Sequence, residues 1–449
     1  MRGRNIAGVL LVSALGVSAC ASSDQPESGV DESNGANGAP ESIELEIWVP
    51  TSFSPAADVA AVGDLWAELY QEFDEAHPNI SIHWEMMAGS PDDTLRQLLT
   101  AADSGNLPDV AMLDGQWVAR MEETGELQPL TEYMDADKRQ QFDERVLEPV
   151  TFDDELYAVW FHNAWRGLFY QESVLEDLGY SEPPQTWEEL LSLGEAATAQ
   201  GQDTVMLPGS DTELTTLHML SMFYGLGGQL IDGDGNAAIL EDDNRDFLEE
   251  TYSIYAELVE HGLMTPDVGI MDEAAIRPFL YTEEAATVAA SSSSVRQIYQ
   301  DQPHLEEELR AFPFPLPEGG NGAAVLVGWT WGSFAADEAR QDAAWSLIDF
   351  MTEPERLGQI NEAAGHLPVQ PEIWERDYYA TDPLMTQFRD IIEGVELRPR
   401  PAHPLYPVIS ASMAGQMAGV LSGSLTPAEA VAHVEADVQA EVDRRAADS

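Results

Sequence analysis

The chain between residues 43 and 113 alternates between two hydrophobic periods. Residues 43–48 and 80–84 place apolar side chains at every second position, which predicts strands. A helical spacing lies between them, and a second helix at 95–102 leads to the apolar run 110–113. The residues with the helical spacing are Val62, Leu65, Trp66, Leu69 and Phe73. This strand–helix–strand–helix–strand order predicts a mostly parallel sheet flanked by helices.

The sequence after residue 113 predicts further amphipathic helices and several helix starts. Residues 246–262 and 338–351 carry apolar stripes with helical spacing. The Pro-rich stretch 312–317 predicts a break where the chain passes between two lobes. Capping boxes, which begin helices, are predicted at three pairs of residues: Thr186 with Glu189, Thr352 with Glu355, and Thr426 with Glu429.

The N-terminus is typical of an exported lipoprotein. Residues 1–20 contain a basic start, an apolar run too short to span a bilayer of about 30 Å, and small residues before Cys20. This end resembles a bacterial lipobox, which implies a lipid on Cys20, although a chance free cysteine is the alternative. Residues 21–42 have no apolar period and predict a flexible tether. We therefore expect an exported protein, lipid-anchored on the outer face of the cytoplasmic membrane.

Net charge restricts the possible partners. The 449 residues include 81 Asp+Glu against 20 Lys+Arg, a formal charge of -61. Such acidity excludes binding to nucleic acid and charge-driven binding to anionic lipid. Because 44% of the residues are hydrophobic, the chain can still bury a large core. Acid-rich surfaces suit high salt, and the single lysine, Lys138, excludes a P-loop.

Signatures of catalysis and of metal sites are absent from the sequence. There is no Gly-x-Ser-x-Gly elbow, and the nine histidines form no zinc-binding spacing. Residues 232–236 imitate the start of a calcium loop, but Ala237 and Asp243 stand at its sixth and twelfth positions, so we expect a turn. We predict no enzyme, no cofactor and no metal. A carboxylate pair for glycoside hydrolysis stays open among 81 acidic residues.

Several segments resemble family 1 extracellular solute-binding proteins, the substrate-capture lipoproteins of sugar ABC importers. They are FDEAHPNI (73–80), SGNLPDV (104–110), LDGQWV (113–118), LYAVW (156–160), PPQTWEEL (183–190), GW (328–329) and RPRPAHPLY (398–406).

The resemblance implies a periplasmic-binding-protein-like α/β fold with two lobes and a ligand cleft between them. Three crossovers are expected near 159–163, 310–313 and 351–360. The N-lobe would comprise residues 43–160 plus 312–355, and the C-lobe 161–311 plus 356–449.

The same resemblance implies sugar-contacting residues. Asp114, Trp329 and Arg400 match such positions in the trehalose/maltose-type branch, whereas Ala164 stands where that branch usually has an acidic residue. Asp114 follows a predicted parallel strand, where such sheets bind ligands, and could alternatively cap the next helix. The further candidates are Ser52, Phe53, Trp160, His162, Asn163, Trp165, Trp331 and Tyr406. Core packing stays an alternative for the tryptophans.

We predict a non-enzymatic substrate-binding lipoprotein. It would capture a sugar, a disaccharide or short oligosaccharide, and deliver it to the transmembrane subunits of an ABC permease. Its partners would be that sugar, the permease and the membrane through Cys20. We expect a monomer that does not bind nucleic acid. The alternatives are an exported, lipid-anchored glycoside hydrolase and the same fold binding a peptide or polyamine.

Overall fold

A computed structural model describes residues 42–448 apart from 88, 90 and 318. The predicted signal, nearly all of the tether and the lipid site at Cys20 lie outside the described residues and stay predictions. Within the described part, no helix has the length and apolar character needed to cross a membrane.

The described residues alternate between strands and helices. The strands are β1 (Ile43–Val49), β2 (Ile80–Met86), β3 (Val110–Asp114), β4 (Thr151–Phe152), β5 (Glu155–Leu156), β6 (Ala158–Trp160), β7 (Arg166–Gln171), β8 (Asp203–Met206), β9 (Ala285–Ser291), β10 (Leu309–Phe312), β11 (Ala324–Leu326), β12 (Trp329–Ser333) and β13 (Leu397–Pro399). The helices are α1 (Ala60–Ala76), α2 (Pro91–Ser104), α3 (Val118–Glu122), α4 (Ala136–Arg139), α5 (Glu144–Leu147), α6 (Glu172–Asp177), α7 (Trp187–Gln200), α8 (Glu213–Gly225), α9 (Asp242–Glu260), α10 (Glu273–Ile276), α11 (Pro278–Tyr281), α12 (Val295–Asp301), α13 (Leu305–Glu308), α14 (Glu338–Met351), α15 (Pro354–Ala364), α16 (Asp377–Thr381), α17 (Pro383–Gly394), α18 (Tyr406–Leu421) and α19 (Pro427–Asp448).

The first sheet has the strand order β2-β1-β3-β12-β6. Strand β1 pairs in parallel with β2 and β3, whereas β12 runs antiparallel to β3 and β6. The apolar positions of β1 are buried because helices α1 and α14 pack on this sheet. The predicted parallel strand–helix–strand–helix–strand unit is therefore confirmed.

The second sheet has the strand order β10-β7-β9-β8. Strands β8 and β9 are parallel, and β7 runs antiparallel to both β9 and β10. Helices α7, α8, α11 and α17 pack against its strands. Helix α18 packs on α8 and is in turn covered by α9 and α19. The hydrophobic core thus continues from the second sheet into the C-terminal helices.

Several chain segments connect the two sheets. Residues 161–165 run from β6 to β7, and Asn163 in this segment forms two backbone hydrogen bonds with Leu367, of 2.9 and 3.0 Å. Helix α15 packs against α1 of the first sheet. We therefore propose that the third crossover lies after Ala364. Strand β11 pairs with β13, and Phe314 packs on Trp187 of α7, so we also propose that the second crossover lies after Leu326. The other lobe boundaries stay predictions.

The capping predictions have different outcomes. The Thr426 hydroxyl accepts the Glu429 backbone N–H and the Glu429 carboxylate accepts that of Thr426, so this box is confirmed. Thr186 is confirmed as a helix N-cap, but the Glu189 carboxylate accepts the N–H of Gln185 instead of that of Thr186. The box at Thr352 is wrong, because its hydroxyl donates to the Ile348 carbonyl at 2.7 Å and Thr352 ends α14 instead. The calcium-like segment forms the expected turn, in which the Asp232 carboxylate accepts the backbone N–H groups of Asp234 and Asn236.

Candidate functional site

A cavity of about 550 Å³ lies between elements that flank the two sheets. One wall comes from α2 and from the turn after β3, with Leu95, Gln116 and Trp117. The opposite wall comes from the start of α8 and from α18, with Glu213 and Tyr406. Since its walls belong to different sheets, the cavity occupies the position of an interlobe cleft.

Arg400 joins the two walls of this cavity. Its Nη2 donates to the Asp114 carboxylate at the end of β3, and its Nη1 donates to Glu213 Oε1 at 3.1 Å. The Arg400 side chain is only 3% exposed. Burial opposes its charge, but the neighbouring carboxylates of Asp114 and Glu213 raise the pKa of Arg400, so the guanidinium stays protonated.

Glu213 is held by donors from α18 as well. The Tyr406 hydroxyl donates to Glu213 Oε1 at 2.6 Å, and the Ser410 hydroxyl donates to Oε2. The Ser410 carbonyl accepts a hydrogen bond of 2.9 Å from Thr216 of α8, which ties the two helices together. Burial, followed by the charge of Glu213, raises the pKa of Tyr406, so its hydroxyl remains a donor.

Aromatic rings stand beside this polar network. The Trp117 ring lies edge-on to Trp329, with centroids 5.4 Å apart, and Trp329 contacts Phe53 at 5.9 Å. Trp329 is the β12 residue paired with Asp114 of β3, so the indole and the carboxylate start from neighbouring backbone positions. The site therefore combines charged hydrogen-bonding groups with flat apolar faces.

Residues 56–356 match the family described as bacterial extracellular solute-binding protein. The chain belongs to this family. It is 21% identical over 340 residues to the maltotriose-binding protein of Pyrococcus abyssi, covering 75% of this chain and 70% of that protein. An uncharacterised lipoprotein of Streptomyces antibioticus is 24% identical over 299 residues, covering 65% of this chain and 64% of that protein.

Solved structures of related proteins establish the fold. The sugar-binding protein MalE of Xanthomonas citri superposes with a TM-score of 0.75 and 21% identity, covering 90% of this chain and 98% of that one. The predicted periplasmic-binding-protein-like fold of two α/β lobes is thereby confirmed. Members of the family are extracellular binding proteins rather than enzymes.

Four residues predicted for the site of this solute-binding protein lie together. Arg400, Asp114 and Tyr406 belong to one hydrogen-bonded network, and Trp329 stands beside it. The carboxylate of Asp114 also accepts the backbone N–H of Gln116 at 3.2 Å. Asp114 therefore caps the turn that follows, as one of its two predicted roles requires, and it also binds Arg400; contact with a sugar stays a prediction.

Four other predicted residues do not line the cavity. Phe53 packs against Trp329, and Trp160 lies under the turn after β3, where a Cβ on Gly115 would come within 2.1 Å of its ring. His162 stacks on His366 with centroids 3.9 Å apart. Ser52 is exposed in the turn that follows β1. These residues stay weaker candidates for ligand contact.

Three candidates occupy structural positions, so we leave them out of the proposed site. Trp331 shares a strand face with Trp329 but lies deeper in the sheet, where Trp66 covers it and it is fully buried. Trp165 packs on Phe388 at 5.5 Å in the core beside the second sheet. The Asn163 side chain accepts backbone N–H groups of Ala164 and Val327, which holds the crossover segment in place.

Sequence reasoning missed important members of the cleft. Glu213 binds Arg400, Tyr406 and Ser410, yet nothing in its local sequence separates it from the other acidic residues. Trp117 lies within the family-like segment 113–118 and could have been selected from it.

Proposed function

We propose that this solute-binding protein captures a neutral sugar, a disaccharide or short oligosaccharide, in the cavity between its lobes. It would then deliver the sugar to the transmembrane subunits of an ABC importer. The observation that carries the proposal is the cavity of about 550 Å³ with the Asp114–Arg400–Glu213 network and Trp117 in or beside its walls. Ligand pockets in proteins span about 300–1,000 Å³.

The chemistry of the walls suits a sugar. A pyranose has an apolar C–H face, which packs on aromatic rings such as Trp117 and Trp329. Its hydroxyls both donate and accept, so they can pair with carboxylates and with a guanidinium in charge-assisted hydrogen bonds. The maltotriose-binding relative and the MalE structure support this ligand class.

The Arg400 network also supports a closing mechanism. Arg400 binds one carboxylate from each side of the cavity, so separating the walls would break at least one of these hydrogen bonds. A sugar that contacts both walls would favour the closed arrangement by its differential affinity for that state. The closed form would then be the form that docks on the permease.

The two rival functions fit these contacts less well. In a hydrolase, one cleft carboxyl must donate a proton to the ligand. Burial raises the pKa of Asp114, but the Asp114 carboxyl is turned to the buried Arg400 guanidinium, which Glu213 also contacts. A polyamine would bring further positive charge next to Arg400, which is almost fully buried. Both arguments favour a neutral ligand that is bound without being cleaved.

We also propose that Cys20 carries a lipid that keeps the protein at the outer face of the cytoplasmic membrane. The lipobox-like sequence and the lipoprotein relative from Streptomyces antibioticus support this anchor. We propose further that the protein is a monomer and that the anchor keeps it on the same membrane as its permease.

Thermal-shift and calorimetric titrations with maltose, maltotriose, lactose, a tripeptide and spermidine test the function. A sugar at a hundredfold excess over its dissociation constant should stabilise the protein by about 2.7 kcal/mol. Trp329→Ala should remove this response. Trp345→Ala should keep it, because Trp345 is a half-buried indole that stacks on Tyr133 at 5.8 Å, away from the cavity walls.

Chromatography of the same samples should recover the sugar unchanged. Conversion of the sugar into smaller units would establish the hydrolase instead. Stabilisation by spermidine or by the peptide, with no response to any sugar, would establish the other rival.

A further inference from the structure

The charged network of the cleft lies largely behind the cavity surface and is bonded mainly to itself. Arg400 is only 3% exposed, and neither Arg400 nor Asp114 lines the cavity. Glu213 does line it, but its carboxylate accepts hydrogen bonds from Arg400, Tyr406 and Ser410. A carboxylate has about four acceptor positions, so most of those of Glu213 are occupied. The network therefore joins the two walls and leaves few of its own groups for a ligand.

The arginines of the cavity lining are engaged in the same way. Arg120 donates to Glu123 at 2.5 Å. Arg445 donates to Glu441 at 2.7 Å and to the Pro404 carbonyl at 2.9 Å. Because both arginines already have acceptors within the protein, a ligand would have to displace a carboxylate or a carbonyl to bind them.

Gln116 lines the cavity with a side chain that is still free to bond. It is half-buried on the first wall, and its side-chain amide has no hydrogen-bond partner among the described residues. Its backbone N–H donates to the Asp114 carboxylate at 3.2 Å. The preceding Gly115 packs so closely on Trp160 that an added Cβ would come within 2.1 Å of the ring. A fixed turn therefore holds the free amide at the cavity surface.

The next residue adds an aromatic ring to the same surface. Trp117 ends the turn Gly115–Trp117 and lines the same cavity as Gln116. An indole packs on the apolar C–H face of a pyranose, and a primary amide has one carbonyl acceptor and two N–H donors. Two neighbouring hydroxyls of a stacked ring can thus bind one amide, the first by donating to Oε1 and the second by accepting from Nε2.

We propose that Gln116 is a specificity-determining residue whose amide binds two neighbouring hydroxyls of the sugar ring that stacks on Trp117. This inference rests on the proposed function and names a contact within it. A carboxylate can only accept from the amide and an ammonium group can only donate to it, whereas a pair of hydroxyls matches both of its atoms. The site would thus select a sugar with two adjacent free hydroxyls on that ring.

Gln116→Met tests this inference, because methionine keeps the length of the side chain and removes the amide. In calorimetric titration with whichever sugar binds the unmodified protein, we expect the dissociation constant to rise about tenfold or more, since one or two hydrogen bonds are lost. The melting temperature without sugar should stay the same. Gln359→Met is the matched control, because Gln359 is half-buried on α15, donates to Glu355 of the same helix at 3.3 Å and does not line the cavity.

Monodeoxy derivatives of the same sugar identify the hydroxyls that the amide binds. Two derivatives that lack neighbouring hydroxyls should each bind the unmodified protein about three- to tenfold more weakly. Neither should lose further affinity in Gln116→Met relative to the parent sugar, whereas the other derivatives should lose equally in both proteins. Gln116→Ala, which removes the amide without adding an apolar side chain, should give the same pattern.

The rival explanation is an amide that binds only water. In that case Gln116→Met would leave the dissociation constant within about twofold of the original, and the inference is overturned. It is also overturned if the variant weakens binding but every deoxy derivative still loses as much affinity as in the unmodified protein, because the residue then acts through shape. Failure of the unmodified protein to bind any sugar would instead overturn the proposed function.

Discussion

Two buried clusters of ionisable side chains in this solute-binding protein differ in protonation state: one is charged and the other is neutral. In the cleft, Arg400 is ionised and bound by carboxylates from both walls. At the crossover, His162 and His366 stack as neutral rings 3.9 Å apart and 15° from parallel. Burial lowers the pKa of both histidines, that of His366 to about 4.

The difference comes from the partners that each cluster has. Both ring nitrogens of His162 and the Nδ1 of His366 lack hydrogen-bond partners within the described residues, so a proton there would have no counter-charge. A buried charge is stable only when opposite charges and hydrogen bonds replace its lost hydration. The cleft supplies these partners and the crossover does not. Phe53 touches both histidines and Trp329, which places the neutral pair directly behind the cleft aromatics.

Removing the cation from the cleft should have the largest effect on stability. Arg400→Met leaves Asp114 and Glu213 facing each other without a counter-charge, and we expect a loss of about 3–5 kcal/mol in the free energy of unfolding. Urea denaturation measures it. Adding Asp114→Asn and Glu213→Gln to Arg400→Met should recover most of the loss. If the single variant is as stable as the unmodified protein, the cleft charges are not coupled as described.

Acidification should destabilise the crossover pair. The unfolded His366 has a pKa near 6.5 and the folded one about 4, so its contribution is complete above pH 6.5 and is lost as pH falls from there towards 4. Between pH 7.5 and pH 5 this amounts to about 2 kcal/mol.

The measurement compares unfolding free energies of the unmodified protein and His366→Phe across that pH range. The difference between them should change with pH, because the variant lacks the titrating group. His304→Phe, at an exposed histidine away from the crossover, is the control. A pH-independent difference for His366→Phe would mean that the pair is not kept neutral.

Salt should change the affinity of the cleft for a sugar less than it changes the melting temperature of the protein. The range of electrostatic interactions falls from about 10 Å at 0.1 M salt to about 3 Å at 1 M, which screens repulsion within a chain of net charge -61. We therefore expect the melting temperature to rise with salt. The dissociation constant for a neutral sugar should change by less than about threefold, because buried pairs are screened little. A tenfold change in this dissociation constant would mean that the cleft charges are exposed to solvent.

Local sequence patterns predicted much of the fold. The periodicity of residues 43–113 predicted β1 to β3 and their helices, because every second or every third to fourth side chain must face a core. Asp114 and Arg400 were selected through a family-like pattern, and the structure joins them in one ion pair. The capping box at Thr352 failed because the same hydroxyl can donate to the preceding turn and end a helix.

The sequence by itself determined the strands and helices of residues 43–113, the excess of acidic charge and the family. Only the tertiary structure decided which acidic residue meets Arg400. Glu213 lies 187 residues away from Arg400 and approaches it because α8 packs on β11, the strand that pairs with β13. The tertiary structure also distinguished Trp329 from Trp331. Each has a glycine and Thr330 as its sequence neighbours, but Trp329 is half-buried and Trp331 is fully buried in the sheet. Periodicity reports which face of an element is apolar, whereas contact between distant segments depends on how those faces pack.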